Sequence, residues 1–495
     1  MAQTFSEAFA DAGPRPHYVA LLRRLDEIGP EELNERAKRI DSIFRATGIT
    51  FAVAGREEGL ERTWPMDIVP RIIPAHEWDV IEAGLIQRVD ALNRFLDDLY
   101  VGGQEIIGDG IIPRWLVESA DGYLREAHGI PATNGARCVV AGIDLVRDAE
   151  GTYRVLEDNL RVPSGVSYVL ENRVAMKRVL PTAFAHHAVR PVNHYGKLLL
   201  EALTSIAPPA AGDPTVVVLT PGVANSAYFE HAFLARQMGV ELVEGRDLVV
   251  EDHVVYLRTT EGLSRVDVVY RRVGDEFLDP VVFRPDSMLG VPGLMAAARA
   301  DNVTIANAVG NGAADDKAVY AYVPDMIRYY LGVEPILPNV TTYLPWVPEQ
   351  REMVLDRLDQ LVVKPVAESG GYGIVIGSQA SDQELAEVAA AVSANPRGYV
   401  AQEVVQLSTS PTLVDGVLQP RHVDLRPFVL SGERIEVIPG GLTRVALPEG
   451  SLIVNSSQGG GSKDTWVLDH AGSPPESPRR DEPDAEEVAR AGPAR

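Results

Sequence analysis

The chain has 495 residues, enough for about three domains of ordinary size. Its 46 Lys and Arg stand against 70 Asp and Glu, a net charge of −24, which argues against nucleic acid or anionic lipid as a partner because both need a basic surface. The single cysteine, Cys138, excludes a disulfide framework and a Cys-based zinc cluster, and within the apolar run Cys138–Ala141 it reads as a buried, inert thiol.

No stretch approaches the ~18 apolar residues of a membrane span. The start, Met1 to Glu7, lacks a basic region followed by an apolar one, so a cytoplasmic enzyme is expected. Residues 1–60 read as an N-terminal helical segment. Pro65, Pro70 and Pro74 break up the stretch around Arg71, which is expected to run irregular or extended. Trp78, Ile81, Leu85, Val89, Leu92, Phe95 and Leu99 then recur at spacings of three and four, one apolar stripe on a helix with charged residues on its other face.

From Arg137 the pattern becomes strand, turn, strand. Val139 to Leu145 is apolar, Arg147 to Gly151 is a polar turn, and Tyr153 to Leu156 is apolar again. The polar segment from Glu157 to Gly165 closes a region taken as residues 61–205. A Pro- and Ala-rich linker over 206–214 precedes an alternation of short strands and helices at 214–310, with strands expected at Thr215–Thr220, Val240–Val243, Val254–Leu257 and Val266–Tyr270. That alternation predicts an open α/β sheet. Gly222 follows the first strand, but no G-x-G-x-x-G is present, so a dinucleotide site is not expected. The block 311–468 holds most of the glycine-rich sequence. The tail 469–495, rich in Pro, Glu, Asp and Arg, is expected to be disordered and dispensable.

The segment Leu361 to Gly377 is the most informative. It reads strand, glycine-rich turn, strand, with Lys364 projecting from the strand end. Ser369, Gly370 and Gly371 lie in a turn whose backbone N–H groups can face phosphate oxygens. It is not a Walker A loop, because Lys463 follows Ser462 rather than glycine. Upstream, Asp315-Asp316-Lys317 opens a helix. Downstream come a strand at Tyr399–Val405, a second over Asp424–Leu430, Arg444 in the run Gly441–Ala446, and the polar loop Asn455 to Gly461. None of the 10 histidines forms an H-x-x-x-H or H-E-x-x-H spacing, so a zinc hydrolase is unsupported.

In this order the elements resemble the ATP-grasp superfamily of carboxylate–amine ligases: a D-K element, a hydrophobic-K-P strand with a glycine-rich lid, a hinge strand, a D-x-R strand, an arginine, and an Asn-plus-glycine loop. That superfamily's last element, a strand-turn-strand carrying Asp and then Glu-x-Asn, is found near the beginning instead, at Asp144 and Glu157-Asp158-Asn159. The chain therefore resembles the circularly permuted members, over roughly residues 60–468. The Pro-Arg-Ile-Ile-Pro stretch at 70–74 resembles the N-terminal region of the same group.

The resemblance implies an α/β (α+β) permuted ATP-grasp fold with an inserted Rossmann-like pre-ATP-grasp domain and a helical N-terminal region. It requires residues 137–168 to pack beside 311–468. It also implies roles. Asp144, Glu157 and Asn159 would hold Mg²⁺, as hard oxygen ligands suit. Glu157 and Asn159 are two apart on a strand and so share a face, whereas Asp158 on the opposite face is expected to be structural. Lys317 and Lys364 would neutralise ATP phosphates. Gln402, Glu403 and Val405 would form the adenine hinge, through the Glu403 carbonyl and the Val405 N–H. Arg444, with Arg426 and Lys364, would hold the charge of the transferring phosphoryl group. Arg161, Ser164 and Asn455 would meet the substrate, Arg161 by clamping a carboxylate. Ser408-Thr409-Ser410 occupies the stretch where the ribose contact usually lies, and none is assigned.

The activity implied is an ATP- and Mg²⁺-dependent carboxylate–amine or carboxylate–thiol ligase working through an acyl phosphate on a small-molecule or peptide substrate. An ATP-binding scaffold without turnover and a small-molecule kinase are the alternatives. A homo-oligomer is compatible with the sequence.

Overall fold

A computed structural model of the chain describes residues 4–52, 61–367, 373–452, 454 and 460–470. The apolar stripe becomes the helix Ala75–Tyr100, which starts at Pro74, where the preceding strand must end. Its stripe residues are buried, but so are Arg88 and Asn93. By its spacing Arg88 falls within the apolar stripe itself, and both polar side chains serve partners across the fold, Arg88 meeting Asp158 and Asn93 meeting Cys138.

The proline-bounded stretch around Arg71 is a fully buried strand, Met66–Ile73. It pairs in parallel with Gly461–Val467, itself edged by Thr443–Val445. The ladder slips between Lys463 and Thr465, opposite the part of the strand that holds Pro70. Proline has no N–H for the ladder, so a slip there costs no ladder bond at that residue.

Three of the short strands expected in 214–310 join Thr304–Ala306, which was not expected, in a parallel sheet of order Thr304–Ala306, Val268–Arg271, Val216–Leu219, Glu241–Val243. The strand expected at Val254–Leu257 does not join it. It runs from Val254 to Thr259 in a separate antiparallel sheet with Leu248–Glu251 and Gly262–Val266. Short turns link these three strands, and tight turns favour antiparallel neighbours. Two helices, Pro16–Ile28 and Pro30–Thr47, lie in the N-terminal stretch and turn at Gly29, whose φ of 76° suits glycine.

Two antiparallel sheets build the cleft. The first, here the Asp144 sheet, runs Ile435–Val437, Phe428–Ser431, Val140–Arg147, Tyr153–Asn159. Its central pairing, Phe428 to Leu430 against Gly142 to Val140, joins a late strand to an early one and brings residues 137–168 beside the 311–468 block. The strand expected from Asp424 starts only at Phe428. Pro427 interrupts it, while Leu425 and Arg426 make isolated bridges to Leu145 and Leu442. The second, the Lys364 sheet, runs Thr342–Tyr343, Tyr399–Glu403, Leu361–Pro365, Val375–Ile376. Its far face covers a small apolar core of its own, containing Val354, Leu358, Val363, Val388, Val392 and Ala401.

Candidate active site

One row of residues crosses the Lys364 sheet in register: Thr342, Gln402, Val362 and Ile376. Alternation puts Lys364 on the same face, two residues beyond Val362. Gln402, Val362, Ile376 and Lys364 all line one cleft. The opposite wall comes from the Asp144 sheet, whose register slips at Asp144 so that Glu157 faces Asp144 and Val155 faces Leu145. Leu156 is the extra residue of this bulge. Simple alternation would send Leu156 and Glu157 to opposite faces, yet both line the cleft.

The cleft is polar at one end and apolar at the other. At the polar end Asp144 is buried between two arginines. Arg426 Nη2 donates to Asp144 Oδ2 at 2.8 Å, with a second contact from Nε to Oδ1. Arg444 Nη2 donates to Asp144 Oδ2 at 2.6 Å, and its Nε donates to Asp424 Oδ2 at 2.9 Å. Burial by itself would raise the Asp144 carboxyl, but the two guanidinium groups hold it well below the usual carboxylate range. Asp424, also buried, is shifted upward by desolvation despite Arg444.

Lys364 is buried on the facing wall, and desolvation brings its ammonium down to about 8, with Lys317 adding to the fall and Glu157 and Asp144 opposing it. Glu157 and Lys364 thus line the same cleft and feel each other's charge. Lys317 opens the helix Lys317–Tyr320, capped by the Asp316 carboxylate, and lines a second cavity that adjoins the cleft at Glu157.

Whether the expected metal ligands fit Mg²⁺ rests on which oxygens are open. Glu157 keeps a partly exposed carboxylate, its nearest cation Arg426 being 3.8 Å away. Asn159 Nδ2 donates to the Gly142 carbonyl at 3.1 Å, which leaves Oδ1 as its acceptor. Two hard oxygens on one strand suit a Mg²⁺ that keeps several waters. Both Asp144 oxygens serve arginines, so Asp144 reaches a cation only by sharing one. Among the described residues no group of three or more His, Cys, Asp and Glu could hold a metal.

Several expected residues are committed elsewhere. Arg161 pairs with Asp315 at 2.6 Å on the rim of the second cavity, where it would have to leave Asp315 to clamp a substrate carboxylate. Ser164 Oγ accepts from Arg272 at 2.6 Å, beside the parallel sheet. The Glu403 side chain is drawn away by Tyr343 Oη and Arg357, leaving its main chain and Val405 to the cleft. Ser408 Oγ donates to buried Glu7. Asp158, one residue from Glu157, forms a bidentate pair with Arg88, both contacts at 2.7 Å. Ser369, Gly370, Gly371 and Asn455 lie outside the described residues, as does the tail from 471. Asp469 and His470, expected to belong to the disordered tail, are described and bonded: Asp469 N–H donates to the Ala188 carbonyl, and His470 meets Asp79.

Sequence reasoning gave no role to Asp424 or Arg71. Asp424 was signalled by its place in D-x-R, two residues before Arg426. Arg71 sits in the proline-bounded strand, where its guanidinium donates to the Asp424 carbonyl at 3.0 Å and to Glu7 Oε1 at 2.6 Å.

These elements are those of a nucleotide-dependent ligase fold, and comparison with known proteins agrees. The sequence profile described as circularly permuted ATP-grasp type 2 matches residues 70–446, and the chain belongs to that family. An uncharacterized protein of Synechocystis sp. is 56% identical over 461 residues, covering 93% of this chain and 96% of that protein. A Frankia alni protein provisionally named glutamate–cysteine ligase 2-3 is 49% identical over 454 residues, covering 92% of this chain but 52% of its own length. A glutathione synthetase-like effector of Globodera pallida shares the fold, with a TM-score of 0.57 at 11% identity, over 89% of this chain and 98% of that one. Among the described residues no helix is long and apolar enough to cross a membrane.

Proposed function

We propose that the protein is an ATP- and Mg²⁺-dependent ligase that joins a carboxylate to an amine or thiol through an acyl phosphate. The observation that carries this reading is the convergence of Lys364, Arg444, Arg426 and Glu157 at one end of a cleft whose other end is apolar. An apolar slot takes a base, and fixed cations at its polar end take a triphosphate.

In this reading the substrate carboxylate attacks the γ-phosphate in line, and ADP leaves as the acyl phosphate forms. The amine or thiol then attacks the acyl carbon and phosphate departs. Lys364 and Lys317 neutralise phosphate oxygens as point charges. Arg444 is held rigidly by two buried carboxylates, so its guanidinium needs no reorganisation as charge develops on the phosphoryl group. Glu157 and Asn159 would hold the metal, which when bound neutralises phosphate oxygens as a Lewis acid. The second cavity, which shares Glu157 with this cleft, is where the acceptor would enter. The name of the Frankia relative supports an amino-acid-like carboxylate and acceptor.

The test is a screen of carboxylate and amine pairs for ATP consumption that depends on both, followed by product analysis. ADP with an amide or thioester supports the reading. ADP with a phosphoester would make the protein a kinase, and ATP bound without turnover would make it a scaffold.

A further inference from the structure

One buried acid has no part in the chemistry above. Glu7 is 1% exposed and is not among the described residues that line either cavity, yet its carboxylate answers groups from three distant segments. Oε1 accepts from Arg71 Nη2 and from Ser408 Oγ, both at 2.6 Å, and Oε2 accepts from Arg147 Nη1 at 3.0 Å. Burial by itself would raise this carboxyl, but the two guanidinium groups hold it below its ordinary value, so it stays ionised. The short segment that carries it is pinned along Thr409. Glu7 N–H donates to the Thr409 carbonyl and Thr409 N–H to the Phe5 carbonyl, both at 2.8 Å. The Phe5 ring adds a cation–π contact, its centroid 4.0 Å from the Arg147 guanidinium.

The arm through Arg71 reaches the phosphoryl end of the cleft. Arg71 Nη1 donates to the Asp424 carbonyl at 3.0 Å. Asp424 stands between the strands Val417–His422 and Phe428–Ser431, where a side chain rather than a ladder supplies the partner of that carbonyl. The Asp424 carboxylate then accepts from the Arg444 backbone N–H at 3.2 Å and from Arg444 Nε at 2.9 Å. Glu7, Arg71, Asp424 and Arg444 thus form one series. A guanidinium held at one end by a buried carboxylate has little freedom, and it passes that restraint to the carbonyl at its other end. The Ser408 arm runs elsewhere, to the residue after Leu407 at the apolar end.

We propose that Glu7 is a positioning residue for phosphoryl transfer: through Arg71 and the Asp424 main chain it sets where the Arg444 guanidinium stands, and so how strongly the site prefers a nucleotide that carries a γ-phosphate. The proposal rests on the cleft being the ATP site with Arg444 at the γ-phosphate, and extends it to an acid that touches no substrate. Charge-assisted bonds weaken steeply as distance and angle depart from ideal, so a small shift of Arg444 costs affinity for the terminal phosphate alone.

The test is calorimetric binding of ATP and of ADP to the full chain with Mg²⁺, read as the ratio of the two affinities beside the melting temperature. The unmutated protein should favour ATP. Glu7→Gln keeps the shape and removes the charge, and should lower the melting temperature and also the ratio, the latter by about 3- to 10-fold, part of what one charge-assisted bond supplies. Glu7→Gln combined with Arg71→Met removes both charges of the pair, while Arg147 keeps Glu77 at 3.0 Å, so the melting temperature should recover. The ratio should stay low in this double variant, because the Asp424 carbonyl still lacks its donor. Ser408→Ala cuts the other arm and should leave the ratio unmoved. A merely structural Glu7 would weaken ATP and ADP together, or let the ratio recover with the melting temperature. Either result would overturn the proposal alone, as would equal affinity for ATP and ADP in the unmutated protein. Should Glu7→Gln fail to fold, the ratio in the double variant decides. Failure of the unmutated protein to bind either nucleotide would instead overturn the nucleotide-site reading, and the proposal with it.

Discussion

The two walls of the cleft are held by different physics. The Asp144 wall is tied by buried charge: Asp144 and Asp424 to Arg426 and Arg444, Asp158 to Arg88, and Arg71 to Glu7 and the Asp424 main chain. The Lys364 wall has no comparable network among the described residues. It rests on its own small apolar core, and its one buried cation, Lys364, faces the cleft rather than a close counter-ion. Buried ion pairs are directional and costly to break, so they suit groups that must meet developing charge in one geometry. Apolar packing tolerates small shifts, which would suit a wall that takes up a nucleotide under the proposed function.

The harshest way to break this contrast is Arg444→Met. It leaves Asp144 with one arginine and Asp424 without its partner, both buried, and should cost about 3–5 kcal/mol of stability in a denaturant titration, along with turnover. A loss below about 1 kcal/mol would mean that the network is solvated and the wall is not tied by charge.

A sharper comparison uses adjacent acids. Asp158→Asn takes a charge from a bidentate buried pair and should destabilise the fold by a few kcal/mol at most about 5, while Asp158→Leu combined with Arg88→Met should recover much of the loss. Glu157→Gln, on the open cleft face, should leave the melting temperature nearly unchanged and abolish turnover. If both single variants lost only stability, Glu157 would be no more than part of an acidic strand.

On the Lys364 wall, Lys364→Ala should weaken ATP binding by about 1.5–3 kcal/mol while leaving folding largely intact. The pH dependence has a definite sign. With the free ammonium at about 8, binding of phosphate above that pH must draw in a proton, so affinity should fall as pH rises through 8. Lys364→Arg should flatten the profile. Because the folded value lies below the ordinary 10.5, this lysine's contribution to folding stability rises between about pH 8 and 10.5. A flat binding profile in the unmutated protein would remove Lys364 from the phosphate site.

The smallest effect concerns Cys138, buried beside the Asp144 sheet with its Sγ toward the Val140 carbonyl, where burial pushes its thiol well above the ordinary range. It should resist thiol reagents in the native state and react only on unfolding, and Cys138→Ser should leave nucleotide affinity unchanged.

Much of this protein was legible in one dimension. The helix Ala75–Tyr100, the strands bearing Lys364 and Glu157, and the capped element at Lys317 follow from periodicity and turn chemistry, which act within a few residues. The resemblance also carried the permutation, because the order of motifs is itself sequence. What only the tertiary structure decided is the partnership of charges and the aim of polar atoms. That Arg88 on an apolar stripe answers Asp158, that Asp144 serves two arginines before any metal, and that Gln402 meets Thr342 depend on strand register between distant segments. Register and a single bulge at Leu156 set which side chains share a face, and a local pattern cannot encode a neighbour that arrives hundreds of residues later.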